Sequence, residues 1–211
     1  MKYKPGYKYI PPITWSILTP LYDFLCVISG LGTAFKKKVL NATRLRGGMT
    51  VVDIGCGTGV FLKIAKQRYP AVNFIGLDPD RHALAIAKRR LSKNHLSVEL
   101  KESFAESLPL AHQSVDICFS MLTFHHMPDT VKRDAVMEIY RVLKDNGKVV
   151  IGDFGARKHS LLQIILFFKK IEYIDGNLQG LIPRFLSETG FKNIKIVGHH
   201  FPAVDIIIAE K

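Results

Sequence analysis

Cysteine is scarce: the 211 residues contain only Cys26, Cys56 and Cys118. An odd number without C-x-x-C spacing argues against a disulfide framework and against a thiolate metal site, and it fits a reducing, cytoplasmic compartment. Tryptophan occurs once, and 18 acids stand against 30 Lys and Arg, a formal charge of +12. Long uninterrupted apolar runs are also missing. The nearest approach is Ile13 to Phe35, which holds the single charge Asp23 but is broken by Pro20, Gly30 and Gly32. It reads as a buried or interfacial segment rather than a membrane span or signal peptide. No internal repeat, low-complexity tract or Pro/Ser-rich linker divides the chain, which argues against solenoids and multi-domain arrays. With 47% hydrophobic and 23% charged residues, disorder is excluded as well.

The charge that is present is unevenly placed. Eight basic residues and one acid fall within the first 50 positions, so much of the excess is an N-terminal property. Such a balance suits contact with anionic lipid, nucleic acid or an acidic substrate. Beyond it, short apolar runs alternate with stretches of helical period. Strands are predicted at Met49 to Ile54, Asn73 to Leu77, Ser97 to Phe104, Val115 to Met121 and Lys148 to Asp153. Helices are predicted at Val60 to Tyr69, Asp80 to Ser92 and Asp129 to Leu143, with a turn at Asp145-Asn146-Gly147. That alternation predicts an α/β fold, a parallel sheet with helices on both faces. The C-terminal part reads as a helix at Leu178 to Thr189, a strand at Phe191 to Val197, a turn at Gly198 to Pro202 containing His199 and His200, and a strand at Val204 to Ala209. Two strands joined so closely must be antiparallel, so seven strands are expected with one reversed near the edge.

The strongest chemical signal is VVDIGCGTG at 51–59, at a strand-to-helix junction. Gly55, Gly57 and Gly59 permit positive φ and let a ligand lie against the backbone, where helix N-terminal amides favour an anion. Asp78 ends the next strand about 20 residues on, where a carboxylate can accept ribose hydroxyls. Together they point to a ribose-containing ligand with an adenine beyond it. A dinucleotide fingerprint requires a third glycine where this chain has Val60; the pattern here is an acid, Asp53, followed by G-x-G-x-G.

With that motif the chain resembles the class I S-adenosylmethionine-dependent methyltransferases. The likeness extends to GLDPD at 76–80, FAESLPL at 104–110, SVDICFSMLTFHHM at 114–127 and EIYRVLKDNGKVVIGDF at 138–154, and it is nearest to the ubiquinone/menaquinone-biosynthesis and small-molecule branches. The resemblance implies a Rossmann-like seven-stranded sheet and S-adenosylmethionine as cofactor, with S-adenosylhomocysteine as product. By position, it implies the methionine end against Asp53, Gly55 and Gly57, the ribose on Asp78, adenine against Pro79, and the backbone near Ser120 and Met121 at the adenine amine. An acid often found two residues before the Glu106 position is Phe104 here, which leaves Ala105 and Glu106 as the adenine contacts.

Methyl transfer needs alignment and exclusion of water more than acid–base chemistry. The segment after the fourth strand reads FSMLTFHH. It lacks the N/D-P-P-aromatic motif of exocyclic-amine methyltransferases and any Pro-Cys nucleophile, which points away from a nucleobase acceptor. His125 and His126 on that loop are candidates for a base or an acceptor-binding group, with at most one facing the pocket; Asp153, ending the fifth strand, is a third. No metal ligands are implied. Two apolar stretches suit a substrate lid: Ser160 to Lys170, and the N-terminal region with Trp15, Tyr22 and Phe24 among Lys2, Lys4, Lys8 and Lys36 to Lys38, which also suits an anionic membrane surface. The reading is therefore a basic, aromatic extension over 1–39 ahead of a cofactor-binding domain over 40–211, acting on a small or lipid-like acceptor with peripheral membrane contact. An RNA or protein methyltransferase, and a non-catalytic module that keeps the cofactor fold, are the alternatives.

Overall fold

The computed structural model describes residues 31–155, 173–200 and 203–211. Most of the aromatic, basic N-terminal segment and the stretch Ser160 to Lys170 lie outside the described residues.

The described chain runs α1 (Thr33–Leu40), β1 (Thr50–Ile54), α2 (Val60–Arg68), β2 (Asn73–Asp78), α3 (Arg81–Ser92), β3 (Glu99–Glu102), β4 (Val115–Met121) and a 3-10 turn at Phe124–His126. It continues through α4 (Asp129–Val142), β5 (Leu143–Phe154), α5 (Ile174–Leu178), α6 (Leu181–Thr189), β6 (Lys192–His200) and β7 (Val204–Glu210). The seven strands order as β3-β2-β1-β4-β5-β7-β6, parallel except that β7 pairs antiparallel with both β5 and β6. This is the expected Rossmann-like sheet with one reversed strand beside its edge. No helix of the described residues is long and apolar enough to cross a membrane.

The period of two along each strand divides the core between the faces. Val51, Ile117, Phe119 and Val150 meet Phe35 and Val39 of α1 and Phe61, Leu62 and Ala65 of α2. Val52, Ile54, Val115, Cys118, Val149 and Ile151 meet Val136 and Ile139 of α4 and Ile182, Phe185 and Leu186 of α6. Each large apolar side chain so buried stabilises the fold by about 1.5–3 kcal/mol. From β1 the chain winds outward to β3 and then returns to β4, so the crevice of this sheet opens beyond the C-terminal ends of β1 and β4.

Three local expectations change. The helix expected over Leu178 to Thr189 starts later, as α6 at Leu181, because Gly180 takes φ +77 and separates it from α5, a short helix that was not expected. His199 and His200 are strand residues, not turn residues: they pair with Asp205 and Val204 in the β6–β7 ladder, and His199 Nδ1 lies 2.6 Å from Asp205 Oδ1. Strand β5 is longer than expected, yet its ladder with β4 passes from Leu143 directly to Lys148. The turn residues Asp145-Asn146-Gly147 fall in that gap, with Asn146 at φ +62.

Candidate functional site

Asp53 sits where strand alternation calls for an apolar residue. It shares with Val51 the face covered by α1 and α2, is 1% exposed, and neither carboxylate oxygen finds a hydrogen-bond partner among the described residues. Burial, with a smaller push from Asp78, raises its pKa to about 8 even though Lys36 of α1 draws it down. An unsatisfied buried carboxylate is costly in an empty site. Here it borders a pocket that also includes Lys36, Gly55, Gly57, Asp78, Pro79, Phe104, Ala105, Glu106, Met121, Leu122, Thr123 and His126.

The glycine loop is built to stay thin. Gly55, at φ +73, lies against Thr123, whose side chain occupies the space a Cβ would need; Gly57, at φ +52, has nothing within 4 Å of that position and leaves its side of the pocket clear. Gly59 does a different job from the expected cofactor contact. A Cβ there would come within 2.9 Å of Ala87, so it lets α2 pack on α3, and it does not line the pocket. The loop amides expected to face an anion are engaged internally. Gly55 N and Cys56 N donate to Leu77 O at 2.8 and 3.0 Å, and Gly57 N donates to Asp78 Oδ2 at 2.8 Å. Asp78 Oδ1 accepts from Asp80 N at 2.9 Å. Burial raises the Asp78 pKa to about 6 against these two amide bonds, and each oxygen keeps acceptor capacity for a hydroxyl.

On the opposite face of the sheet, Asp153 is also 1% exposed but saturated. Its Oδ2 accepts from Thr123 N at 2.9 Å and Phe124 N at 2.8 Å; its Oδ1 meets His125 Nδ1 at 2.8 Å, Phe154 N at 2.8 Å and Asn177 Nδ2 at 3.1 Å. Burial pushes its pKa up, but the His125 ring beside it and the amide donors outweigh that, so the net shift is below the usual carboxylate range. Neither Asp153 nor His125 lines the pocket. Together they shape the loop after β4, where Leu122 takes φ +54. Ser120 does not line the pocket either: it is fully buried, its hydroxyl without a hydrogen-bond partner among the described residues, while Met121 reaches the pocket.

Of the two histidines only His126 reaches the pocket, as expected of neighbouring side chains. Its Nε2 is buried without a partner among the described residues, and desolvation, reinforced by the His125 ring 4.0 Å away between centroids, lowers its pKa to about 3. Sequence reasoning missed Lys36 and Thr123 as pocket residues. Lys36 was legible in principle: Phe35, Val39 and Leu40 turn inward, and a residue four positions before Leu40 shares that flank of the helix.

The pocket thus brings together a buried carboxylate without a hydrogen-bond partner among the described residues, a lysine that interacts with it, an open glycine and a second carboxylate one strand away. Residues 51–147 match the methyltransferase domain family. The chain is 36% identical over 140 residues to a demethylmenaquinone methyltransferase of Lactobacillus johnsonii, covering 64% of this chain and 56% of that one. It thus spans little more than half the length of that relative. A SAM-dependent methyltransferase from Aquifex aeolicus has the same fold, with a TM-score of 0.73 at 20% identity over 92% of this chain and 97% of that one. The phosphoethanolamine N-methyltransferase 2 of Haemonchus contortus, in complex with S-adenosyl-L-methionine, aligns with a TM-score of 0.74 at 25% identity, covering 87% of this chain and 43% of that one.

Proposed function

We propose that this chain is a class I S-adenosylmethionine-dependent methyltransferase and that it methylates a small, apolar acceptor of the quinone or lipid kind. The observation that carries the reading is Asp53, a buried carboxylate with no partner of its own, set opposite Lys36 at one end of the pocket. The pair complements an amino-acid zwitterion: Asp53 receives an ammonium and Lys36 a carboxylate, each charge replacing the solvation that burial removed. Asp78, two charge-assisted amide bonds already in place, takes the ribose hydroxyls, and Pro79 with Ala105 and Glu106 borders the adenine. When bound, S-adenosylmethionine supplies a methyl group on a sulfonium, open to in-line displacement.

The acceptor reading rests on the wall and on the relatives. Leu122 and Met127, on the loop that carries His126, give the pocket an apolar side, and the Lactobacillus relative is a demethylmenaquinone methyltransferase. His126 is the group we assign to the acceptor. With a pKa near 3 it is a poor proton acceptor at neutral pH, so its part is that of a neutral imidazole that hydrogen-bonds and orients the acceptor. His125 and Asp153 act one step back, by holding the loop that carries it.

Calorimetric titration with S-adenosylmethionine, S-adenosylhomocysteine and NAD tests the cofactor: the first two bind and NAD does not. Transfer of radiolabelled methyl into quinone and lipid extracts then tests the acceptor class. His126→Ala should lower turnover by about tenfold or more, the worth of one orienting hydrogen bond, with cofactor affinity unchanged. The wild-type rate should show no inflection from this residue between pH 5 and 7.5, because the imidazole is neutral throughout. A wild-type rate in the variant would remove His126 from the reaction.

A further inference from the structure

A second cavity lies beside the pocket, between α1, α2 and α3, and shares Lys36 and Val60 with it. Its volume is about 640 Å³, and its charged lining consists of Lys36, Lys37, Lys63, Arg68 and Arg90, with no acid among the described lining residues. Several cations elsewhere on the described surface face an acid, among them Arg81 with Glu102, Arg133 with Glu188, Arg141 with Glu138, Lys144 with Asp116 and Lys148 with Glu210. In the groove, Lys36 donates to Leu31 O at 3.4 Å and also interacts with the Asp53 carboxylate on the pocket side, while Arg68 donates to Asn41 Oδ1 at 2.6 Å, a bond to a neutral group that orients its charge without cancelling it. Arg90 is held to the Thr58 hydroxyl at 2.7 Å. Lys36 and Lys63 are half-buried, where like charges repel more strongly than on open surface.

Convergent cations around a cavity raise the local potential and draw in an anion. A phosphate suits this lining better than a single carboxylate, since it offers up to two charges and several acceptor oxygens to lysines and arginines on two facing helices. We propose that this groove is a phosphate site, and that it holds the phosphate of a phosphate-bearing amphiphile at the mouth of the pocket. The source is either a phospholipid headgroup in a bilayer or a soluble phosphate ester. Binding is read without turnover, so the proposal stands or falls apart from the assignment of cofactor and acceptor.

The test uses the full chain and three proteins: wild type, Lys63→Gln/Arg68→Gln in the groove, and Lys192→Gln/Lys195→Gln on β6 at the far edge of the sheet. Each is sedimented with phosphatidylcholine vesicles with and without phosphatidylglycerol, and titrated with glycerol 3-phosphate. The groove variant should lose roughly tenfold in affinity for the anionic vesicles or the ester, and the β6 variant, with the same charge removed, roughly twofold or less. Binding to vesicles that glycerol 3-phosphate does not displace beyond sodium chloride of matched ionic strength assigns the headgroup; displacement assigns the soluble ester. Neither Lys63 nor Arg68 lines the cofactor pocket, so S-adenosylmethionine affinity should be the same in all three proteins. Equal losses in the two variants would reduce the groove to net charge, and no binding of wild type to either probe would overturn the site.

Discussion

Asp53 and Asp153 stand near the ends of two strands of one sheet, equally buried, and differ in almost everything else. Asp53 faces α1 and α2, has no hydrogen-bond partner among the described residues, and is raised to about pH 8. Asp153 faces the other side, accepts five hydrogen bonds, and titrates below the usual carboxylate range. The same residue type is left open toward the pocket in one place, where we propose that it is a socket, and is a strut in the other. The environment that each strand end provides decides which, and an unsatisfied buried group marks where a ligand belongs.

Removing the strut should have the larger effect. Asp153→Ala strips the partner from three amides, from His125 and from Asn177, and should cost about 3–5 kcal/mol in denaturant unfolding, as for other broken buried charge networks. Asp53→Asn should cost little in the ligand-free protein or stabilise it. The pH dependences run oppositely. The folded state holds a proton on Asp53 up to about pH 8 while the unfolded chain releases it near the ordinary carboxylate value, so stability falls as pH rises through that window. Asp153, shifted down, contributes stability above the ordinary carboxylate value that is lost as pH falls through its lower folded value. Unfolding curves of wild type and Asp53→Asn from pH 5 to 8.5 should therefore diverge as pH rises, with the variant the more stable at the alkaline end.

Ligand affinity should reverse the ranking. Asp53→Asn should weaken S-adenosylmethionine binding by about 1.5–3 kcal/mol, the worth of a charged hydrogen bond, and Asp78→Ala by about 1–3 kcal/mol. Because the ionised carboxylate is the form that receives an ammonium, wild-type affinity should increase between pH 6 and 8.5 as Asp53 loses its proton. The Asn variant should lack that increase. Calorimetric titrations at three pH values check both, and a pH-independent wild-type affinity would detach Asp53 from the ligand.

How much of this was legible in the sequence depends on whether local pattern or tertiary contact decides. The strands and the helices that cover them follow from apolar period and glycine punctuation, and β4 matches its predicted limits, Val115–Met121. Asp53, Gly55 and Gly57 fall within one short loop and Asp78 ends the next strand, so local pattern alone brings all four to the pocket they line. What the sequence does not carry is the partner of each group. Gly59 belongs with its neighbours by spacing, but it is the contact with Ala87 of α3 that requires it. Asp153 and His125 were read beside His126 as one chemical cluster; only the fold shows that the first two bond each other and leave the third alone in the pocket. Lys36 was lost in a basic run, and its role depends on where α1 docks.

The smallest expected effect concerns the far end of the socket. Phe104 lines the pocket, at the position for which the resemblance implies an acid beside the adenine amine, and the segment around it is firmly held: Ser103 Oγ donates to Ser107 O at 2.9 Å, and Ser107 N donates to Phe104 O at 3.2 Å. Phe104→Asp would add one acceptor for an exocyclic amine at the cost of desolvating a half-buried carboxylate and of the ring's contact with the ligand. These terms nearly offset, so the net gain in S-adenosylmethionine affinity should be about 0.5–1.5 kcal/mol, with unfolding stability unchanged. Calorimetry on the variant separates two designs of the same pocket. Tighter binding would mean that this wall can be completed with charge, as Asp53 completes the other end. Weaker binding would mean that the ring packs against the base and that the apolar wall is itself the recognition element, so that the socket is charged at one end and shaped at the other.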